Sequence, residues 1–121
     1  MKKVLVLAVL VLLLCACNSN ESSEIKQVTC SEKDEIIKND THAMLIDVRT
    51  KEEYDEKHIE KSINIPFDEI VDKLSAYGTI DFNTPIIVYC QSGKRSNMAA
   101  ESLIKEGYKK IYDLGSIENC N

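Results

Sequence analysis

A chain of 121 residues with a formal net charge of −5 has material for one modest core. It lacks the positive excess that would hold nucleic acid or an anionic surface by general attraction. Any anion site in it must be local, built from main-chain amides and a few cations.

The first stretch reads as an address rather than as fold. Lys2 and Lys3 form a positive start, and Val4–Leu14 is an apolar run too short for a comfortable mature membrane span. It ends in Leu14-Cys15-Ala16-Cys17 and turns polar from Asn18. Leu, two small residues and Cys resemble the lipobox of bacterial lipoproteins. The resemblance implies a signal peptide over 1–16, cleavage before Cys17 and a diacylglyceryl group on its sulfur. Stable anchoring takes more than one acyl chain, and a diacylated cysteine meets that condition. The expected location is the cell envelope, on the extracytoplasmic side of a bacterial membrane. Residues 17–24 read as a flexible tether and 25–121 as the folded domain; the mature chain from Cys17 is more acidic than the whole because Lys2 and Lys3 leave.

The remaining elements alternate. Ile25–Val28 predicts a strand. Either Thr29 or Ser31 caps a helix over Glu32–Lys38, since Thr29-x-x-Glu32 and Ser31-x-x-Asp34 both fit a capping box. Ala43–Val48 predicts a second strand, and Thr50-x-x-Glu53 opens a short helix. Ser62–Ile65 is a brief strand stopped by Pro66. Asp68–Tyr77 has Ile70, Val71, Leu74 and Tyr77 on one helical face. Pro85–Tyr89 is the most apolar strand and is placed at the sheet centre. Ser96–Glu106 predicts a helix closed by Gly107, and Lys110–Leu114 a last strand. Alternating strands and helices predict an α/β fold: a mainly parallel sheet of about five strands with helices on both faces.

The richest segment is Cys90-Gln91-Ser92-Gly93-Lys94-Arg95, between the central strand and a helix start. The N–H groups of such a loop can converge on one point, and a helix N-terminus adds positive potential there. Both favour an anionic, reactive sulfur. Ligands of open parallel sheets bind beyond the carboxyl ends of the strands. Asp47-Val48-Arg49 lies at another such end, so two loops are expected to build one site.

Five cysteines then sort themselves. Cys15 leaves with the signal peptide and Cys17 is capped by lipid. Cys30, Cys90 and Cys120 remain, and an odd count outside the cytosol points to a free reactive thiol, for which Cys90 is the candidate. Cys30 and Cys120 either pair or serve as small buried hydrophobes. No Cys/His spacing suits zinc, so no metal site and no cofactor is proposed.

Two motifs resemble the rhodanese (sulfurtransferase) family. The first is Leu45-Ile46-Asp47-Val48-Arg49 with Glu53-Tyr54, His58-Ile59 and Ile63-Asn64-Ile65-Pro66. The second is Val88-Tyr89-Cys90-Gln91-Ser92-Gly93-Lys94-Arg95-Ser96 with Ala99-Ala100, Gly107-Tyr108 and Asp113-Leu114-Gly115. The resemblance implies a three-layer rhodanese-like fold and a persulfide carried on Cys90, from a donor such as thiosulfate to a thiol or other thiophilic acceptor. Gln91, Ser92, Gly93, Lys94, Arg95 and Ser96 would bind the substrate, with Arg95 giving electrostatic support. Asp47 and Arg49 would tie the second-strand loop to the active loop, and His58 would pack. The expected partners are small sulfur donors and acceptors, and the membrane through the lipid; nucleic acid is not among them, and the domain is read as a monomer.

The chain departs from the family's pattern at its end. Many members have Gly-Gly after the last strand and an aromatic near the position of Cys120; here Gly115 is followed by Ser116. The family places its first and last strands side by side, which implies a Cys30–Cys120 disulfide. Phosphatases and arsenate reductases on the same fold are a second class, but their phosphatase members have one more loop residue than the six from Cys90 to Arg95. A non-catalytic or redox-sensing binding module is a third.

Overall fold

The structure is a computed structural model and describes residues 24–121. The expected signal peptide, Cys17 and the expected tether up to Ser23 lie outside the described residues. The strands are β1 (Ile25–Gln27), β2 (Met44–Asp47), β3 (Ile63–Asn64), β4 (Ile86–Cys90) and β5 (Ile111–Ser116). The helices are α1 (Cys30–Asn39), α2 (Lys51–Glu56), α3 (Ile70–Leu74) and α4 (Lys94–Glu106), and a 3-10 turn covers Ile117–Cys120. Among the described residues no helix is long and apolar enough to cross a membrane.

All five strands are parallel, in the order β1-β5-β4-β2-β3. Every residue of β4 is buried, as a strand covered on both faces requires. Its alternate side chains feed two cores. Ile86, Val88 and Cys90 face one side with Ile46 and Val48, under Ala99, Ala100 and Leu103 of α4 and Ile70 and Leu74 of α3. Ile87 and Tyr89 face the other side with Leu45, Leu114 and Ile117, where Ile36 and Ile37 of α1 pack. Each fully buried Leu or Ile contributes about 1.5–3 kcal/mol, so these two layers hold the sheet between its helices.

The first helix is capped by Thr29, whose hydroxyl accepts the Glu32 N–H while Glu32 reaches back to the Thr29 N–H. Ser31 lies inside that helix rather than at its cap. Pairing of β1 continues through the Val28 N–H, which donates to the Asp113 carbonyl at 3.0 Å. The third helix is shorter than Asp68–Tyr77. Its end tightens into i→i+3 bonds from Ala76 to Lys73 and from Tyr77 to Leu74, which swing Tyr77 off the apolar face to 42% exposure. The fourth helix begins at Lys94, ahead of the expected Ser96. Gly93, at φ 100°, turns the chain straight from the loop into the helix, a conformation open to glycine at little cost.

Cys30 opens α1 and Cys120 ends the 3-10 turn, and the two are joined as a disulfide with 5.2 Å between their Cα atoms. The bond spans 90 residues of sequence. In the chain-entropy account a loop of that length stabilises the fold by about 4 kcal/mol. Reducing the bond is therefore expected to lower the unfolding free energy by about that amount, read as a lower denaturant midpoint at unchanged slope, without abolishing the sheet. Thiol titration of unreduced full chain carrying Cys15→Ser and Cys17→Ser checks the bond itself: one thiol, that of Cys90, is expected, and three would remove the bond from the account.

Candidate active site

In a parallel sheet every carboxyl end meets at one edge. That edge gathers Asp47 from β2, Cys90 from β4 and Ser116 from β5. The loop Gln91–Gly93 leaves Cys90 and enters α4, whose first turn is Lys94, Arg95 and Ser96. The N–H groups of that turn have no intrahelical acceptor, so the helix end carries positive potential toward the loop.

Cys90 is the free cysteine among the described residues. It is fully buried, and its sulfur accepts the Gly93 N–H at 3.0 Å. The loop thus folds over the sulfur and closes a ring back onto it. A molecule from solvent reaches that atom only when the side chain or the loop shifts outward.

The rest of the loop is held from outside. Arg49 is buried and lies along the Asp47 carboxylate, with its Nη2 2.7 Å and its Nε 3.0 Å from the carboxylate oxygens. That hydrogen-bonded pairing raises the proton affinity of the Arg49 guanidinium against the cost of its burial. The same guanidinium donates to the Lys57 carbonyl at 2.5 Å and to the Gln91 side-chain oxygen at 3.3 Å. Asp47 and Arg49 are therefore connected to the Cys90 loop through Gln91. Asn64 completes the strand-end turn by donating to the Asp47 and Arg49 carbonyls, each at 3.0 Å.

Beneath this turn lies Tyr89, with Arg49 5.9 Å above its ring. Its hydroxyl accepts the Ile59 N–H at 3.0 Å and bonds the Ser62 hydroxyl at 2.8 Å. Burial pushes its pKa up to about 12, so it stays neutral and serves as a fixed hydrogen-bonding post. His58 stacks on Tyr54 at 3.8 Å between ring centroids, a packing arrangement.

Arg95 does not extend over the loop mouth. It makes a two-pronged pair with Glu53 of α2, at 2.6 and 3.0 Å. Its proton affinity is raised first by that bond, with smaller contributions from Cys90 and Asp47. Ser96 likewise turns inward: it is fully buried, and its hydroxyl donates to the Gly93 carbonyl at 3.1 Å. Its side chain is thus unavailable to a substrate and holds the N-cap of α4. Gln91, Ser92 and Lys94 remain exposed. Among the described residues no acidic side chain pairs with Lys94 within 4.0 Å, so its ammonium is available to an incoming anion.

Among the contributors not assigned a part in the site from sequence, two touch the loop or its helix directly. Glu53 is one: its capping box was legible, but its second partner, Arg95, stands 42 residues away. Ser116 is the other; its hydroxyl donates to the Gln91 carbonyl at 2.7 Å.

The Glu53 pair sets an acid dependence. The Arg95 hydrogen bonds hold the Glu53 carboxyl down at about 2, from an ordinary 4.5. Its stabilisation is complete above the unfolded value and is lost as pH falls from about 4.5 to about 2, because the unfolded chain takes the proton first. Glu53→Gln is expected to cost ~1 kcal/mol near neutral pH, a value discounted for the partial exposure of the pair. Urea melts across the acid range should show the gap between wild type and variant closing over that window; a constant gap would contradict the pairing.

Comparison with known proteins follows the same geometry. The profile of the rhodanese-like domain matches residues 29–120. A thiosulfate sulfurtransferase of Escherichia coli, PspE, is 35% identical over 74 residues, covering 61% of this chain and 70% of that protein. A putative sulfur carrier protein of Bacillus subtilis, YrkF, is 30% identical over 97 residues; the match covers 80% of this chain but only 51% of that protein. Among solved structures, an E. coli rhodanese with anions superposes with a TM-score of 0.60 at 32% identity, over 64% of this chain and 89% of that one. With a five-stranded parallel sheet, a cysteine at the end of its central strand and a profile match over most of its length, this chain belongs to the rhodanese-like family.

Proposed function

We propose that the chain is a sulfurtransferase that carries sulfane sulfur as a persulfide on Cys90. The observation that carries this reading is the Gly93 N–H donating to the Cys90 sulfur at 3.0 Å, in a loop that runs directly into the N-terminus of α4. Main-chain donors aimed at a sulfur stabilise negative charge there, as an oxyanion hole does for oxygen. Relatives named thiosulfate sulfurtransferases, 35% and 31% identical to this chain, support the substrate class.

The balanced steps are short. The Cys90 thiolate attacks the outer sulfur of thiosulfate, a new S–S bond forms, and the old one breaks with its electron pair leaving on sulfite. Cys90 is left as a persulfide anion. An acceptor thiolate then attacks the outer sulfur, the bond to Cys90 breaks, and the Cys90 thiolate returns as the acceptor gains the persulfide. Written from the thiolate, these steps involve no general base. Lys94, exposed beside the loop, would meet the donor's sulfonate, and Gly93 would follow the outer sulfur as it extends.

The signal sequence and the Leu14–Cys17 pattern support an extracytoplasmic, lipid-anchored form of this activity. The donor in the cell is taken to be a small sulfane-sulfur anion and the acceptor a thiol.

Two experiments test these readings. Incubation of the protein with thiosulfate, followed by intact mass measurement, should show the gain of one sulfur atom, absent in Cys90→Ser. Turnover of a phosphoryl or arsenate substrate without sulfur loading would instead favour a phosphatase or reductase, and no reaction with any donor would favour a binding or redox-sensing module. Growth of an expressing bacterium on labelled palmitate should label the wild type and leave Cys17→Ser unlabelled; equal labelling or none in both would remove the anchor.

A further inference from the structure

We propose that Ser116 is a positioning residue for the Cys90 loop, resting on the sulfur-transfer reading above. Its hydroxyl sets the direction of the first loop peptide and couples that peptide to the disulfide-tied C-terminal turn.

Ser116 ends β5 and stands opposite Cys90 in the strand register. Its side-chain oxygen does two things at once. It donates to the Gln91 carbonyl at 2.7 Å, and it accepts the Glu118 N–H at 3.1 Å as the cap of the 3-10 turn. A hydroxyl has one proton to give and two lone pairs, so the two bonds are compatible. The peptide group is planar and trans, so a carbonyl fixed toward Ser116 also fixes the Ser92 N–H to point the opposite way. The Gln91 side chain is held from the other flank by Arg49 at 3.3 Å. The residue that follows the nucleophile is thus clamped at its main chain by one strand end and at its side chain by another.

The clamp stands on a fixed base. Cys120 ties the 3-10 turn to the start of α1, and the Asn119 amide donates to the Leu114 carbonyl at 2.7 Å. The β5 end also approaches the loop closely: a Cβ added to Gly93 would lie 3.8 Å from the Gly115 Cα. The Ser116–Gln91 bond is solvent-exposed, so water can replace it when it is deleted. Loss of the hydroxyl should therefore leave the fold intact while the loop peptide gains freedom, and small misplacements of reacting groups are costly to rate.

The test uses the full chain as wild type, Ser116→Ala, Ser116→Thr and Ser116→Val. Valine keeps the shape of threonine without a hydroxyl, which preserves the comparison if alanine lowers stability. Sulfur uptake from thiosulfate is followed by mass, and alkylation of Cys90 by iodoacetamide is followed in parallel. Alanine and valine are expected to slow sulfur uptake about tenfold, the worth of one ordinary hydrogen bond. The loss should fall on the saturated rate rather than on the half-saturating thiosulfate concentration, and threonine should return to within about twofold of wild type. Wild-type rates in alanine and valine, or threonine as slow as valine, would overturn the proposal. If wild type takes up no sulfur, the transfer reading falls and alkylation alone decides: a rate changed in alanine and valine but restored in threonine supports the positioning role, and equal rates in all four overturn it.

Discussion

The site is organised around one contact, in which the Gly93 N–H meets the Cys90 sulfur at 3.0 Å. Forming it requires the chain to reverse within three residues of the central strand, which only the left-handed geometry of Gly93 permits here without strain. The same reversal starts α4 immediately, so the helix's free N–H groups face the loop. One backbone conformation thereby creates both the local donor and the longer-range positive potential. A side chain at position 93 would strain this backbone first, since φ there is 100°, whatever space surrounds it.

Much of the surrounding polar structure makes that conformation rigid. Asp47 neutralises a buried Arg49, which gives two further donors to Lys57 and Gln91. Glu53 anchors Arg95, and so fixes the first turn of α4 against α2. Ser96 ties back to Gly93 from below. Among the described residues no buried side-chain polar atom lacks a partner. Of the two loop cations, one is committed to structure and the other, Lys94, projects into solvent. That division of labour suits the proposed transfer, in which an anionic donor would arrive, react and leave as another anion.

The architecture was legible because its signals are local. The capping boxes at Thr29 and Thr50, the apolar run Ile86–Tyr89 and the alternation of strand and helix each act within a few residues. The meeting of Asp47, Arg49 and Cys90 at one sheet edge followed from parallel topology. What sequence hid was pairing at long range. Nothing in the Lys94-Arg95 dipeptide shows that one cation turns to Glu53 while its neighbour stays free. The start of α4 was placed late because the loop and the first helical turn share residues, and the αL cap at Gly93 erases any boundary between them. Tyr77 followed the helical period on paper, but its helix ends before reaching it. Ser96 was read by its amide, while its side chain proved to be an internal strut.

Burial of Cys90 sets the physical condition on any chemistry. The sulfur that the proposed transfer uses is covered by the loop that would stabilise it, so on that proposal reaction and loop displacement are coupled. The most direct measurement is a crystal structure of the protein after exposure to thiosulfate. The account predicts an added sulfur on Cys90, lying inside the loop within hydrogen-bonding distance of the Gly93 N–H and its neighbours in the first turn of α4. A Cys90 left unmodified, with the Gly93 N–H directed away from its sulfur, would contradict it.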